Sequence, residues 1–164
     1  LLVVHTFSKS RSLAGMRLGF AFGDKDLIKA MNSVKNSFNS YTIDRLAIAA
    51  GVEAFKDHEY FEAARKKVMS TRERVSGELK AMGFTVTDSR ANFIFAAHSE
   101  VQAADIFTRL REKGILVRYF KKPRIDNYLR ITVGTDSEME VFLDAIREIV
   151  FNPAGRQYPP EYVE

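Results

Sequence analysis

The chain opens with two short apolar stretches that have the composition of β-strands and are separated by a polar loop. We predict strands over Leu1–Phe7 and Met16–Phe22, with the loop over residues 8–15. A loop of about eight residues is too short for a crossover between parallel strands, which takes a dozen or more. The two strands are therefore predicted to run antiparallel or to splay apart.

Apolar residues then recur at helical spacing through three successive segments. We predict helices over about Lys25–Ser33, over about Ile43–Phe55 and over a long segment from about 57 to 82. The polar residues 36–42 are predicted to connect the first two helices. Gly83 is expected to end the long helix, because glycine readily takes the left-handed conformation found just after helix ends.

Beyond Gly83, short strands and helices follow in the order β-β-α-β-β-α. We predict strands at 84–86, 92–96, 115–120 and 128–133, a helix over 100–113 capped by Ser99, and a last helix from Asp136 or Ser137 to about Val150. Loops between neighbouring strands are short, so the sheet is predicted to be mainly antiparallel, with two helices on one face. This arrangement is an α+β layer.

The pattern divides the chain into two domains and a tail. We place the boundary in the long helix, so that residues 1–57 end one domain and residues 58–150 form a smaller one. Residues 151–164 contain three prolines and no helical or strand period, and are predicted to be extended. Since Leu1 is not an initiator methionine and already lies within a strand, we expect the chain to be a fragment of a longer protein.

Composition excludes several kinds of protein and site. The 164 residues are 46% hydrophobic and 28% charged, which is ordinary for a globular domain, and no apolar run is long enough for a membrane helix. The chain has no cysteine, which excludes disulfides and thiolate chemistry and fits the reducing cytoplasm, and its three histidines lack metal-ligand spacing. The net charge of +4 is spread along the chain, so a nucleic-acid partner is not expected.

Candidate chemistry lies in the first loop, just past the end of the first strand. Lys9 can point into a site there, and a desolvated lysine amine is a nucleophile toward carbonyls. Thr6 and Ser8 bring hydroxyl groups beside it, and Arg17, eight residues later, carries a planar charged group suited to phosphate. This set suits a carbonyl cofactor with a phosphate group, and pyridoxal 5′-phosphate is such a cofactor.

The segment Ser8-Lys9…Leu13-Ala14-Gly15-Met16-Arg17-Leu18-Gly19 resembles the cofactor-lysine motif of fold-type I aminotransferases. The resemblance implies that Lys9 binds pyridoxal 5′-phosphate covalently and that Arg17, Thr6 and Ser8 hold the cofactor phosphate. It also implies that residues 1–57 end the large cofactor domain and that the long helix links this domain to the small one. The plain alternative is a solvated loop lysine beside an ordinary strand arginine.

Two arginines in the second half form another candidate cluster. Arg118 and Arg130 are twelve residues apart on strands joined by a loop, and paired antiparallel strands can bring both guanidinium groups close together. Two such cations repel unless an anion lies between them. By spacing alone, they could equally be surface arginines on opposite faces of the sheet. Strand alternation predicts that Leu129 and Ile131 share the face opposite Arg130.

The C-terminal motifs are similar to those of histidinol-phosphate aminotransferases. They comprise Ala91-Asn92-Phe93, Gly114-Ile115-Leu116-Val117-Arg118 and Tyr128-Leu129-Arg130-Ile131-Thr132-Val133-Gly134-Thr135. The resemblance implies that Arg130 binds the anionic end of the substrate, with Arg118 and Asn92 assisting. It implies transamination of histidinol phosphate with 2-oxoglutarate in histidine biosynthesis, in a cytoplasmic homodimer that acts on amino-acid or phosphorylated amine substrates.

Several alternatives remain open. Aromatic and aspartate aminotransferases and phosphothreonine-type decarboxylases share the lysine motif, and a non-catalytic α+β interaction module is a further possibility. The residues that such enzymes supply before the lysine, among them the acid that pairs with the cofactor ring nitrogen, have no counterpart here. We therefore expect the 164 residues alone to be inactive. No metal site is predicted.

Overall fold

The structure, a computed structural model, describes residues 1–151 and divides into two compact units. The first unit is Leu1–Arg65 and the second begins at Lys66, so the boundary falls inside the long helix. Of the tail predicted over 151–164, Phe151 belongs to the last helix, and the rest lies outside the described residues.

The first unit contains a two-stranded hairpin followed by helices. Its elements are β1 (Leu2–Thr6), α1 (Phe7–Ser10), a short 3-10 turn (Ala14–Met16), β2 (Gly19–Gly23), α2 (Lys25–Phe38), α3 (Arg45–Lys56) and the beginning of α4 (His58–Ala81). The predicted loop of residues 8–15 therefore contains two short helical turns. The long helix predicted over about 57–82 is confirmed within a residue at each end.

β1 and β2 pair antiparallel, which is one of the two arrangements that the short loop left open. Their register places Thr6 opposite Gly19 and Leu2 opposite Gly23. The strands come close together at Gly19, where an added Cβ would lie 2.8 Å from the backbone oxygen of His5. A side chain larger than hydrogen at this position would therefore push the strands apart.

α2 begins where predicted but extends five residues further. The Asp24 side chain accepts a hydrogen bond from the backbone N–H of Asp26 and caps its first turn. The prediction that residues 36–42 connect two helices was wrong for 36–38, because Val34 and Phe38 continue the helical spacing of Leu27 and Met31. The polar residues between them only cover the other side of the helix.

The first unit buries few apolar side chains. Among its described residues, only Phe7 and Ala47 are buried hydrophobic residues. The stripe formed by Leu27, Met31, Val34 and Phe38 on α2 is 42–81% exposed, and Phe20 and Phe22 of β2 are also exposed. The apolar stripe of α2 is therefore only partly covered in the described part of the chain.

The second unit contains a four-stranded sheet and the helices that cover it. Its elements are the remainder of α4, β3 (Phe84–Val86), β4 (Phe93–His98), α5 (Ala103–Glu112), β5 (Arg118–Tyr119), β6 (Leu129–Thr132) and α6 (Asp136–Phe151). The strand order is β3-β4-β6-β5, and every pair is antiparallel. The predicted antiparallel α+β layer is confirmed.

The core of the second unit lies on one face of this sheet. Alternate residues of β4 and β6, among them Ile94, Leu129 and Ile131, are at most 2% exposed. They form one cluster with apolar residues of α5 and α6, as predicted, and with Val75 and Leu79 of α4. Three helices rather than two therefore contribute to the core, which burial of their apolar stripes stabilises.

α5 begins three residues later than predicted, and Ser99 is not its cap. The ring nitrogen Nδ1 of His98 accepts the backbone N–H groups of Glu100 and Val101, at 3.1 and 3.0 Å, and holds them in a turn. The first helical N–H, that of Ala103, is bound by the side-chain oxygen of Asn127 at 2.9 Å. The cap therefore comes from a residue in the loop before β6.

Local features mark one helix end and one helix start: Gly83 follows the end of α4, and Thr135 precedes the start of α6. Gly83 follows α4 with a φ of +88°, as predicted for the residue after a helix end. At the start of α6, the Thr135 hydroxyl accepts the N–H of Glu138, while the Glu138 carboxylate accepts the N–H of Thr135 at 2.7 Å. This reciprocal pair is a capping box, and the Thr135 N–H lowers the pKa of the Glu138 carboxyl.

The described residues were also compared with the requirements of membrane-spanning helices and of metal sites. None of the helices within residues 1–151 is both long and apolar enough to cross a membrane. Among those same residues, no group of three or more His, Asp or Glu side chains is placed to bind a metal ion.

His98 makes the fold of the second unit sensitive to a single substitution. It is 6% exposed, and because its Nδ1 accepts two N–H groups, its Nε2 is the protonated nitrogen that donates to the Met82 carbonyl at 3.0 Å. His98→Phe keeps the ring but leaves these groups without partners, so we expect a loss of about 2–4 kcal/mol in the free energy of unfolding. Urea unfolding of the chain measures it.

The control is His58→Phe, since His58 is exposed at the start of α4. We expect this variant to change the free energy of unfolding by less than about 0.5 kcal/mol. Equal effects of the two substitutions would contradict the role given to His98.

Candidate functional site

Lys9 lies in α1, the single helical turn that follows β1 directly. Its side chain is exposed. The described residues therefore place the amine at the end of the hairpin but do not provide the desolvation that would make it a nucleophile.

Thr6 and Ser8 form a short chain of hydrogen bonds beside Lys9. The Thr6 hydroxyl accepts the backbone N–H of Ser8 at 3.1 Å and donates to the Ser8 hydroxyl oxygen at 2.8 Å. Within residues 1–151, the Ser8 hydroxyl hydrogen has no acceptor. Ser8 is therefore oriented with its own hydrogen available to an acceptor such as a phosphate oxygen.

Arg17 ends the 3-10 turn in the left-handed conformation, with a φ of +53°. Its guanidinium donates one hydrogen bond to the Ala14 carbonyl at 2.8 Å. It is exposed and makes no ion pair with any residue up to Phe151. Most of its N–H donors are thus available to an anion.

Of the two glycines that flank Arg17, only Gly19 is required by close packing. An added Cβ at Gly15 would have no atom within 4 Å, whereas Gly19 faces the backbone of β1. The residue with the left-handed backbone is Arg17 itself.

Backbone hydrogen bonds bring the two ends of this loop together. Thr6 pairs with Gly19, and the N–H of Phe7 donates to the Leu18 carbonyl at 3.1 Å. The Phe7 carbonyl in turn accepts the N–H of Leu13 at 3.1 Å. Lys9 and Arg17 consequently lie at the same end of the hairpin.

Arg11 anchors the loop, a role that sequence reasoning missed. Its guanidinium lies 3.9 Å from the ring centre of Phe61 and 5.8 Å from that of Phe55, and donates to the Asp57 carbonyl at 3.3 Å. These contacts join the loop to the turn between α3 and α4. Arg11 lies 46 residues before Asp57, so no local sequence signal indicates the contact.

The second cluster lies on the outer face of the four-stranded sheet. Arg118 of β5 and Arg130 of β6 are direct partners across the strand pair and are both exposed. Of the two arrangements that spacing left open, the structure has the one with both arginines on the same face. Leu129 and Ile131 lie in the core, as strand alternation predicts.

Neither Arg118 nor Arg130 forms an ion pair within the described part of the chain. Like charges directly opposite each other on neighbouring strands repel. An anion placed between the two guanidinium groups would remove the repulsion and accept hydrogen bonds from both. The pair therefore has the chemistry of a site for phosphate or carboxylate.

Asn92 lies directly before β4, next to a buried arginine contact. Its backbone carbonyl accepts the N–H of Val133 at 2.9 Å, which extends the pairing of β4 with β6. The preceding carbonyl, that of Ala91, accepts a hydrogen bond from the buried Arg72 of α4 at 2.9 Å. The backbone at Asn92 is thus held from both sides, and its predicted role with the substrate stays a prediction.

Comparison with known proteins identifies relatives over most of the chain. The pattern of the family described as aminotransferase class I and II matches residues 1–146. The chain is 60% identical over 150 residues to the histidinol-phosphate aminotransferase of Clostridium acetobutylicum. The match covers 92% of the chain and 43% of that relative, so the chain spans less than half of its length.

Solved structures share the fold. A putative aminotransferase from Burkholderia pseudomallei is 32% identical with a TM-score of 0.80, and the match covers 91% of this chain and 45% of that one. The histidinol-phosphate aminotransferase of Sinorhizobium meliloti, solved in complex with pyridoxal 5′-phosphate, has a TM-score of 0.81 at 24% identity. That match covers 93% of this chain and 41% of that one.

Arg11→Ala should loosen the loop that carries Lys9. It removes the contact with Phe61 and the hydrogen bond to Asp57, which together are worth about 1–2 kcal/mol. We expect backbone amide hydrogens of residues 11–18 to exchange with solvent about tenfold faster, a change that corresponds to about 1.4 kcal/mol. Hydrogen–deuterium exchange with mass spectrometry measures it.

The matched control is Arg45→Ala, at the first residue of α3 in the same unit. It should leave exchange in the loop unchanged. Arg11→Lys should restore little, because an ammonium lacks the planar face that stacks on an aromatic ring. Unchanged exchange in Arg11→Ala would show that the loop does not depend on this anchor.

Proposed function

This chain belongs to the class I and II aminotransferase family, and we propose that the whole protein is a pyridoxal-phosphate-dependent histidinol-phosphate aminotransferase. It would transfer the amino group of histidinol phosphate to 2-oxoglutarate, giving imidazole acetol phosphate and glutamate. The observation that carries the proposal is the loop at the end of the hairpin, where Lys9 lies with Thr6, Ser8 and Arg17. The 60% identity to the Clostridium relative supports the choice of substrate.

The residues of the loop fit the cofactor. Pyridoxal 5′-phosphate, when bound, supplies a carbonyl that takes up amino groups and a ring that withdraws electrons. Arg17 and the hydroxyl groups of Thr6 and Ser8 would hold its phosphate, since the guanidinium makes no ion pair within residues 1–151 and the Ser8 hydrogen has no acceptor there. Lys9 is the amine that would bind its carbonyl.

Lys9 has a second role in this proposal. Once its Nζ is uncharged and released by an incoming substrate amine, it can take a proton from the reacting carbon and return it at another atom, as general base and then acid. The exposed position of Lys9 allows Nζ to reach a group bound at the end of the hairpin. The hydrogen bonds of Thr6, Phe7 and Arg11 keep the turn that carries Lys9 in place.

Arg118 and Arg130 would bind the anionic end of each substrate, with Asn92 assisting. Histidinol phosphate has a phosphate group, whereas glutamate and 2-oxoglutarate have carboxylates, and the planar guanidinium can donate paired hydrogen bonds to either anion. The absence of a carboxylate partner for both arginines within residues 1–151 supports this role. One pair of arginines can thus serve both half-reactions.

The remaining parts of the proposal rest on the family. We propose that residues 1–57 end the large cofactor domain and that residues 58–150 form the small domain, with α4 as the link. The whole protein is proposed to be a cytoplasmic homodimer. Residues outside this chain would complete the site, so the chain alone is expected to be inactive.

Lys9→Ala in the whole protein should abolish both the absorbance of lysine-bound cofactor and transamination. Loss of a positioned acid–base group alone lowers the rate by about a hundred- to ten-thousandfold. Absorbance spectra and turnover with histidinol phosphate and 2-oxoglutarate measure the two effects. Lys25→Ala, an exposed lysine at the start of α2, is the control and should keep both. A Lys9→Ala protein with near-normal turnover would refute the assignment.

Arg17→Ala and Arg130→Ala should separate cofactor binding from substrate binding. A hydrogen bond to a charged group contributes about 1.5–3 kcal/mol, so Arg17→Ala should weaken cofactor binding about ten- to a hundredfold.

Arg130→Ala should instead raise the KM values of histidinol phosphate and glutamate together, and Arg130→Lys should restore them poorly. Cofactor titration and a panel of amino donors measure these effects. Unchanged KM values in Arg130→Ala would contradict the substrate role.

A further inference from the structure

We infer that Phe120 is a positioning residue that holds Arg118 and Arg130 side by side and ready for the anionic end of the substrate. This inference rests on the proposed function, because it assigns a role within the same anion site. Its basis is an arrangement of aromatic rings and guanidinium groups on the outer face of the sheet.

Aromatic side chains surround the arginine pair on the outer face of the sheet. Phe95 of β4, Arg130 of β6 and Arg118 of β5 form one row across the sheet, because Arg130 pairs with both of the others. Phe120 follows β5 directly, two residues after Arg118. The row and the ring of Phe120 therefore share the face opposite the core.

Phe120 contacts both arginines. The Cζ atom of Arg118 lies 5.5 Å from the centre of its ring, and that of Arg130 lies 5.7 Å away. Both distances are within the range in which a cation is attracted by the negative face of an aromatic ring. Arg130 has a second ring, that of Phe93, at 5.6 Å. Phe120 is the ring that the two arginines share.

The shared ring offsets the repulsion between the guanidinium groups of Arg118 and Arg130. Arg118 and Arg130 are direct cross-strand partners with the same charge, and no carboxylate within residues 1–151 pairs with either. Without a counter-ion the two side chains would swing apart into solvent. Attraction to one ring restrains both in the absence of substrate. An incoming anion then finds two guanidinium groups already placed, which lowers the entropic cost of binding.

Neighbouring rings hold Phe120 in place. The ring of Phe95 lies edge-on to it at 6.4 Å and is itself stacked on Tyr128 at 4.7 Å. Edge-on and stacked pairs of this kind restrict the orientation of each ring. Phe120 is therefore a fixed platform for the arginines, even though it lies outside regular strand pairing.

The test replaces Phe120 in the whole, cofactor-loaded protein. Phe120→Leu keeps an apolar side chain but removes the ring face, and we expect the KM values of L-glutamate and histidinol phosphate to rise together by about three- to tenfold, with kcat changed less than about twofold. Phe120→Tyr keeps the face and should restore both KM values. Cofactor absorbance should stay unchanged in both variants.

A series of fluorinated phenylalanines at position 120 keeps the shape of the ring while it weakens the negative face. One, two and three fluorine atoms should raise both KM values in sequence. This series decides the question if Phe120→Leu lowers the melting temperature. The matched control is Phe107→Leu, which alters a half-buried ring 5.8 Å from that of Tyr119 and should leave both KM values unchanged.

The outcomes separate this inference from the proposed function. If Arg130→Ala raises both KM values but neither Phe120→Leu nor the fluorinated series does, the positioning role of Phe120 is overturned and the proposed function stands. If Arg130→Ala leaves both KM values unchanged, the substrate role of the arginine pair fails, and the inference fails with it.

Discussion

Burial of one face of the four-stranded sheet decides where the side chains of its other face lie. Leu129 and Ile131 are at most 2% exposed against α4, α5 and α6, so the pleat of β6 directs Arg130 outward. A shift of one residue in register would place a guanidinium in the core at a cost of several kcal/mol. The position of Arg118 and Arg130 side by side on the outer face is thus a consequence of core packing and strand register, and the ring of Phe120 lies close to both guanidinium groups.

The hairpin of the first unit combines a regular register with irregular backbone. Pairing of β1 with β2 closes the loop, but Ser12 and Arg17 within it have φ values of +57° and +53°. Such a conformation costs about 1–2 kcal/mol for a residue with a side chain. The loop keeps it because Phe7 and Arg11 make several contacts that hold its ends and its middle. Irregular backbone of this kind is common where a side chain serves a ligand.

Two of the errors in the predicted elements, at α5 and at β5, share one physical cause. The predicted cap of α5 failed because Asn127 and His98 bind the N–H groups that Ser99 was expected to serve. The predicted strand over 115–120 shrank to Arg118–Tyr119, since only these residues pair with β6. In each case a partner distant in sequence or the edge of a sheet decided the bounds, and local pattern contains no signal for either.

The sequence by itself determined the order of elements, the antiparallel sheet and the family. It also determined the end of the long helix at Gly83 and the motif around Lys9 between the first two strands. These follow from hydrophobic period, glycine chemistry and a long motif, all of which act over neighbouring residues. Only the tertiary structure decided that Arg118 and Arg130 share a face, that Phe120 contacts both, and that Arg11 holds the loop. These contacts join residues whose spacing permits several arrangements, and strand register and packing select one.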